Sequence, residues 1–187
     1  MITTATILSG VAQGLIWAIL TLGVYLTFRI LDIADLTVEG TFPLGAAVTV
    51  VLINTGMSPA MAMLCALLAG AAAGFITGFL HTIFQIPAIL SGILTMIALY
   101  SVNIRIMSDK ATVALEQPSL KTWMLSLLPE GTVSNTVSII LGTVFCLLIV
   151  ALLYYFFGTE IGCAVRATGS NQNMARSLGV KTDRVII

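Results

Sequence analysis

Ala5-Thr-Ile-Leu-Ser-Gly-Val-Ala-Gln-Gly-Leu-Ile-Trp-Ala-Ile-Leu-Thr-Leu-Gly-Val-Tyr-Leu-Thr-Phe28 contains no Asp, Glu, Lys, Arg or His, and the first charge, Arg29, follows it directly. At 1.5 Å per residue a helix of this length covers about 36 Å, enough to cross a hydrocarbon core of roughly 30 Å. Residues 40–80 are equally free of charge. Such runs are too long for barrel strands. A backbone in lipid has to satisfy its own hydrogen bonds, which leaves helices. Composition agrees: of 187 residues 58% are hydrophobic and 9% charged, with a mean hydropathy of +1.08. A soluble domain carries about 25% charged residues. The fold class is therefore all-α, a polytopic transmembrane helix bundle. The formal net charge of zero gives no indication of a nucleic-acid partner.

Turn signals divide the chain into five apolar segments. The first, Ala5–Phe28, has no basic residues before it and is too long for a signal-peptide core, so it is expected to remain as the first helix. A polar strip, Arg29–Gly40, precedes the second segment, Thr41–Ile53, which Asn54-Thr-Gly-Met-Ser-Pro59 closes. The third runs from Ala60 to Phe84 and breaks at Gln85-Ile-Pro87. The fourth covers Ala88 to Met107, a polar loop spans Ser108–Thr136, and the fifth is Val137–Phe157. Residues 1–157 thus form the bundle, and 158–187 a polar, basic tail. That tail holds Arg166, Arg176, Lys181 and Arg184 against Glu160 and Asp183. The 108–136 loop holds Lys110 and Lys121 against Asp109, Glu116 and Glu130. The positive-inside rule makes the tail cytoplasmic and the loop external. Five crossings then put the N-terminus outside and Arg29 near the cytoplasmic face.

Three features bear on function. Ala66, Gly70, Gly74 and Gly78 recur every fourth residue, a ridge suited to close helix packing in lipid. The second segment is short: Pro43 to Ile53 makes about 16 Å of helix, half of the core. Pro43 suits a first helical turn and Gly40 an irregular backbone. A discontinuous second crossing is expected, an acidic strip followed by a half-helix from near Pro43. Irregular backbone at membrane depth has to be buried in protein or line a wet cavity, as in transporters, unless the strip is an interfacial loop. At helical spacing Asp32, Asp35 and Glu39 would share a face, and Arg29 could pair with Asp32. Third, the tail reads as a short helix over Asn173–Leu178, stopped by Gly179; its basic residues also suit simple anchoring at the cytoplasmic face. Cys65, Cys146 and Cys163 have no ligand or pairing spacing, and no metal or cofactor is expected. His81 and Arg105 are read as interfacial residues, Arg105 with an alternative as a gate or a substrate-carboxylate contact.

The tail pattern Gly162-x-x-x-Arg166-Ala, then Met174-Ala-Arg-Ser-Leu-Gly-Val-Lys-Thr-Asp-Arg184, resembles the cytoplasmic coupling loop of ABC importer permeases of the branched-chain amino acid type. The block Asp35-Leu-Thr-Val-Glu-Gly-Thr-Phe-Pro-Leu-Gly45 is similar to a Gram-positive subgroup of amino-acid permeases, aromatic ones included. The resemblance spans the chain. It implies a permease pair, a homodimer, docked on cytoplasmic ATP-binding subunits and fed by an extracytoplasmic substrate-binding protein, often a lipoprotein. It places a coupling helix over 173–179, with Arg166, Met174, Ala175, Arg176 and Gly179 engaging the ATPase and Ala175 small enough to enter its groove. Asp35, Thr37, Glu39 and Gly40 would lie along the translocation path. Family members continue beyond the coupling loop, so a further helix is expected after Ile187.

The chain lacks Gly-x-x-x-x-Gly-Lys-[Ser/Thr], so ATP hydrolysis is expected on a partner and the chain itself is not an enzyme. The competing reading is a secondary transporter or channel whose ions bind at Asp32, Asp35 and Glu39.

Overall fold

The computed structural model describes residues 4–115, 122 and 134–186. Glu116, Lys121 and Glu130 of the expected external loop lie outside them, as do Ile187 and the side chains of Asp183 and Arg184. Among the described residues every regular element is helical: α1 (Thr4–Tyr25), α2 (Thr37–Asn54), α3 (Pro59–Thr82), α4 (Ala88–Ile106), α5 (Ser134–Phe157), α6 (Glu160–Ser170), α7 (Gln172–Ser177) and α8 (Thr182–Ile186). The first five include helices long and apolar enough to cross a membrane. Their large side chains face outward, as with Leu67 at 66% and Leu147 at 64% exposure. In water that surface would aggregate; in lipid it is solvated.

The turn signals work as their chemistry dictates. Gly56 takes φ +91°, and the Met57 amide donates to the Leu52 carbonyl at 3.1 Å, capping α2. Pro59 opens α3 at its first position, where a missing N–H costs nothing. Pro87 sits at the N-cap of α4.

α2, α3 and α4 pack on one another around Leu44, Ala73 and Leu99. α1 pairs with α5, where Leu15 lies over Gly142. Trp17 stacks on Phe42, with centroids 6.0 Å apart, and joins the two groups. The expected glycine ridge on α3 is used only in part. A Cβ on Gly70 or Gly74 would meet nothing within 4 Å, whereas Ala73 and Thr77 are buried. The close-packed face of α3 is thus set off from Gly70 and Gly74, whereas Gly78, at the end of the ridge, is buried.

The second crossing departs from expectation in one respect. Its irregular strip is confined to residues 31–36, and α2 begins at Thr37, six residues before Pro43. The helix is 18 residues long, about 27 Å, instead of a half-helix. The reason is local: Asp35 Oδ1 accepts the Thr37 amide at 2.8 Å, so the acidic strip itself starts the helix. Pro43 is accommodated inside α2.

The tail holds a helix that the sequence reading passed over. Thr159 Oγ1 accepts the Gly162 amide at 3.3 Å and starts α6 immediately after α5. The short helix is where it was expected, as α7, with Asn171 Oδ1 accepting the Met174 amide and Gly179 at φ +87° beyond its end.

Candidate functional site

The strip between α1 and α2 is built by an unusual helix end. After Tyr25 the chain widens into a π-helical turn, Leu26–Ile30, with the Leu31 amide donating to Leu26 at 3.2 Å. Asp32 then takes φ +55°, a conformation that Asp tolerates better than most residues, and the Ile33 amide reaches back to Thr27 at 3.0 Å. The left-handed residue turns the strip onto α4. There a Cβ on Gly92 would lie 2.8 Å from the Leu36 nitrogen and 3.2 Å from Asp35 Oδ1. Only glycine admits the strip so close.

This geometry separates the three acids that helical spacing would have grouped. Asp35 lines a cavity of 160 Å³ with Thr27, Thr77, His81 and Ser91, floored by Val185 and Ile186 of α8. Glu39 lines a second cavity of 520 Å³, between α2 and α4, with Gly40, Tyr100 and Asn103. Asp32 lies in a groove with Arg29, Arg166 and Ser170, where α1 meets the tail. A single ion site built from all three acids is not what the fold assembles, because Asp32 and residues 33–36 do not continue the helix.

The remaining path candidates divide. Thr37 is 1% exposed, and its Oγ1 sits 2.9 Å from Thr77 Oγ1, so it ties α2 to α3. Gly40 is buried where α2 crosses α4: an added Cβ would lie 3.1 Å from Met96 Cα. Its carbonyl accepts Asn103 Nδ2 at 3.3 Å. In the first cavity His81 Nδ1 lies 2.8 Å from the Ile86 carbonyl, which can only accept. Nδ1 therefore carries a proton and donates to that carbonyl.

The tail is seated on the strip through glycine. A Cβ on Gly169 would collide with the Ile30 carbonyl and lie 2.9 Å from Leu31 Cα, so α6 meets the π-turn backbone to backbone. Gly162 likewise allows α6 to fold against Phe156 and Phe157. On α7, Met174 (62%) and Leu178 (72%), which follows its last turn, are exposed, whereas Ala175 is buried at 2%. The small residue expected to enter a partner's groove thus points into the chain, where α7 meets α6 and α8. Arg176 Nε donates to Thr182 Oγ1 at 2.7 Å and braces the same junction; Arg166 is exposed, its Nη2 donating to Cys163 Sγ at 3.3 Å.

Sequence reasoning missed Asn103, Thr77, Gly92 and Gly169. Asn103, within the apolar run of α4, carried the one usable signal, a polar amide at membrane depth. Among the described residues no group of three or more His, Cys, Asp and Glu is arranged to hold a metal.

A bundle of long apolar helices with cavities beside the strip between α1 and α2, and a tail packed on that strip, is the arrangement of a multi-pass membrane protein. Residues 6–187 match the family described as the permease component of branched-chain amino acid transport systems, and the chain belongs to it. It is 37% identical over 181 residues to a tyrosine transport system permease protein of Clostridioides difficile, covering 97% of this chain and 58% of that protein. The autoinducer 2 import system permease protein LsrC of Photorhabdus laumondii is 31% identical, with 98% and 52% covered. Its counterpart in Yersinia pseudotuberculosis is 32% identical, with 98% and 49% covered. The chain spans about half the length of these relatives. No solved structure matches it significantly.

Proposed function

We propose that this chain contributes the translocation path and the motor-coupling segment of an ATP-driven importer of amino acids. The observation that carries the reading is the seating of Gly169 on the Ile30–Leu31 backbone. Interfaces packed this tightly move as units, so a pull on the tail is transmitted to the strip that leads into α2. In this reading Asp35, Glu39 and Gly40 face the substrate's route, and Thr37 holds α2 in place beside it. Arg166, Met174, Arg176 and Gly179 present the tail to a cytoplasmic ATP-binding subunit. Ala175 acts from within, by letting α7 pack closely. Alternating access follows when closure of that partner moves residues 158–187 and, through Gly169, the end of α1.

The partners are that ATPase, an extracytoplasmic substrate-binding protein or lipoprotein, and a second permease subunit, here a second copy of the chain. The protein sits in the cell membrane with its N-terminus outside and its tail in the cytoplasm. Amino acids are favoured by the family description and by the tyrosine permease similarity, with aromatic ones included.

The test is recovery of the ATPase with the tagged permease. Met174→Glu and Leu178→Glu place charge on exposed apolar positions that this chain does not itself pack, and each should lower recovery at least tenfold. Full recovery with both would remove the docking role of α7. Uptake that persists without ATP and collapses with an uncoupler would remove the motor altogether.

A further inference from the structure

The cavity between α2 and α4 is furnished with acceptors. Asn103 is 5% exposed, and its Nδ2 is committed to the Gly40 carbonyl at 3.3 Å. That carbonyl only accepts, so the amide orientation is fixed and Oδ1 is the free end. Among the described residues Asn103 Oδ1 has no hydrogen-bond partner. A buried amide oxygen left unpaired is destabilising, and it persists where a visiting group supplies the donor. Glu39 also lines this cavity, and Pro43, likewise in the lining, has no N–H to give to the Glu39 carbonyl. Among the described residues no Lys or Arg lines this cavity. The rest of its wall is apolar or aromatic: Met96, Ile97, Tyr100 and Ile104.

Several acceptors without a cation fit a donor that is itself charged. The apolar wall fits the body that carries it. We propose that this cavity is a substrate site within the permease, taking the ammonium group of an amino acid whose side chain is apolar or aromatic. Asn103 Oδ1 and the Glu39 carboxylate accept from the ammonium, while Met96, Ile97 and Tyr100 cover the side chain. At 520 Å³ the cavity lies within the roughly 300–1,000 Å³ of small-ligand sites. The assignment rests on the amino-acid importer reading and adds α4 to the path.

The experiment uses the full-length permease with its ATPase and binding protein, reading uptake of radiolabelled L-tyrosine and L-leucine per assembled complex. Asn103→Leu and Glu39→Gln should each lower uptake at least tenfold. Asn103→Asp keeps an acceptor at the site but loses the amide donated to Gly40, and it should retain more uptake than Asn103→Leu. Asn103→Asp falling as far as Asn103→Leu would assign Asn103 to the helix–helix link and overturn the site. Wild-type-like uptake in Asn103→Leu would overturn it too. Should Asn103→Leu fail to assemble, Glu39→Gln at an exposed position decides: unchanged uptake overturns the proposal. A wild-type complex that takes up neither probe overturns the amino-acid reading and the site with it. Uptake that survives only in the wild type and Asn103→Asp supports both.

Discussion

Gly169→Ala adds one methyl group where α6 crosses the end of the π-turn. Its Cβ would collide with the Ile30 carbonyl and lie 2.9 Å from Leu31 Cα. Both obstacles are backbone, so neither can rotate away, and the two segments have to separate. Overpacking costs about 1–3 kcal/mol, and a collision with main chain belongs near 3. At 1.4 kcal/mol per tenfold, that shifts the seated arrangement by roughly a hundredfold. Helix propensity works the other way, since alanine is favoured over glycine within a helix by about 0.5–1 kcal/mol. The net expectation is about 2 kcal/mol of lost seating, still more than tenfold. In proteoliposomes holding the assembled importer, substrate moved per ATP hydrolysed should fall at least tenfold. Gly169→Ser should behave alike, because it carries the same Cβ. Wild-type stoichiometry in both variants would refute the idea that the tail drives the strip through this contact.

The Thr37–Thr77 hydroxyl pair should show a coupling of about 1 kcal/mol in a double-mutant cycle with valine at each position, read from denaturation of the solubilised complex. A coupling near zero would mean that the pair does not hold α2 to α3. Gly179→Ala forces an L-residue to φ +87° and should destabilise the tail by about 1 kcal/mol, seen as faster proteolysis beyond α7, with Gly179→Asn milder. Equal proteolysis of all three would refute the capping role. A membrane-impermeant maleimide should label the exposed Cys163 in inside-out vesicles and leave it unlabelled in intact cells, while Cys65 and Cys146, on α3 and α5, stay largely protected. Labelling of Cys163 from outside would reverse the topology and remove the cytoplasmic motor.

Much of the architecture was legible because its causes are local. Asn54-Thr-Gly-Met-Ser-Pro59 encodes a left-handed glycine followed by a first-turn proline, and that is how α2 gives way to α3. Gly179 announced its own positive φ, and the uncharged runs announced the lipid. Pro43, whose position near the head of a short apolar run suits a helix start, instead lies inside α2. Whether a proline opens a helix or lies inside it depended on a side chain eight residues earlier, the Asp35 carboxylate capping Thr37. α6 was hidden by its low overall hydropathy, although its residues are clearly amphipathic and Thr159 before Glu160 is a sound N-cap signal.

The sequence by itself determined that this protein lives in a membrane, how many long helices it has the material to form, and where they turn. Those follow from transfer energetics and backbone sterics, which act over a few neighbouring residues. Only the tertiary structure decided which way the functional side chains face. Asp32 at φ +55° breaks the helical spacing that would have joined three acids, and the glycines at 92 and 169 matter through backbone brought near by packing. Ala175 turns inward and Asn103 Oδ1 lies unpaired for the same reason: partners from distant segments occupy or leave vacant the space around them, and spacing along the chain carries no record of that.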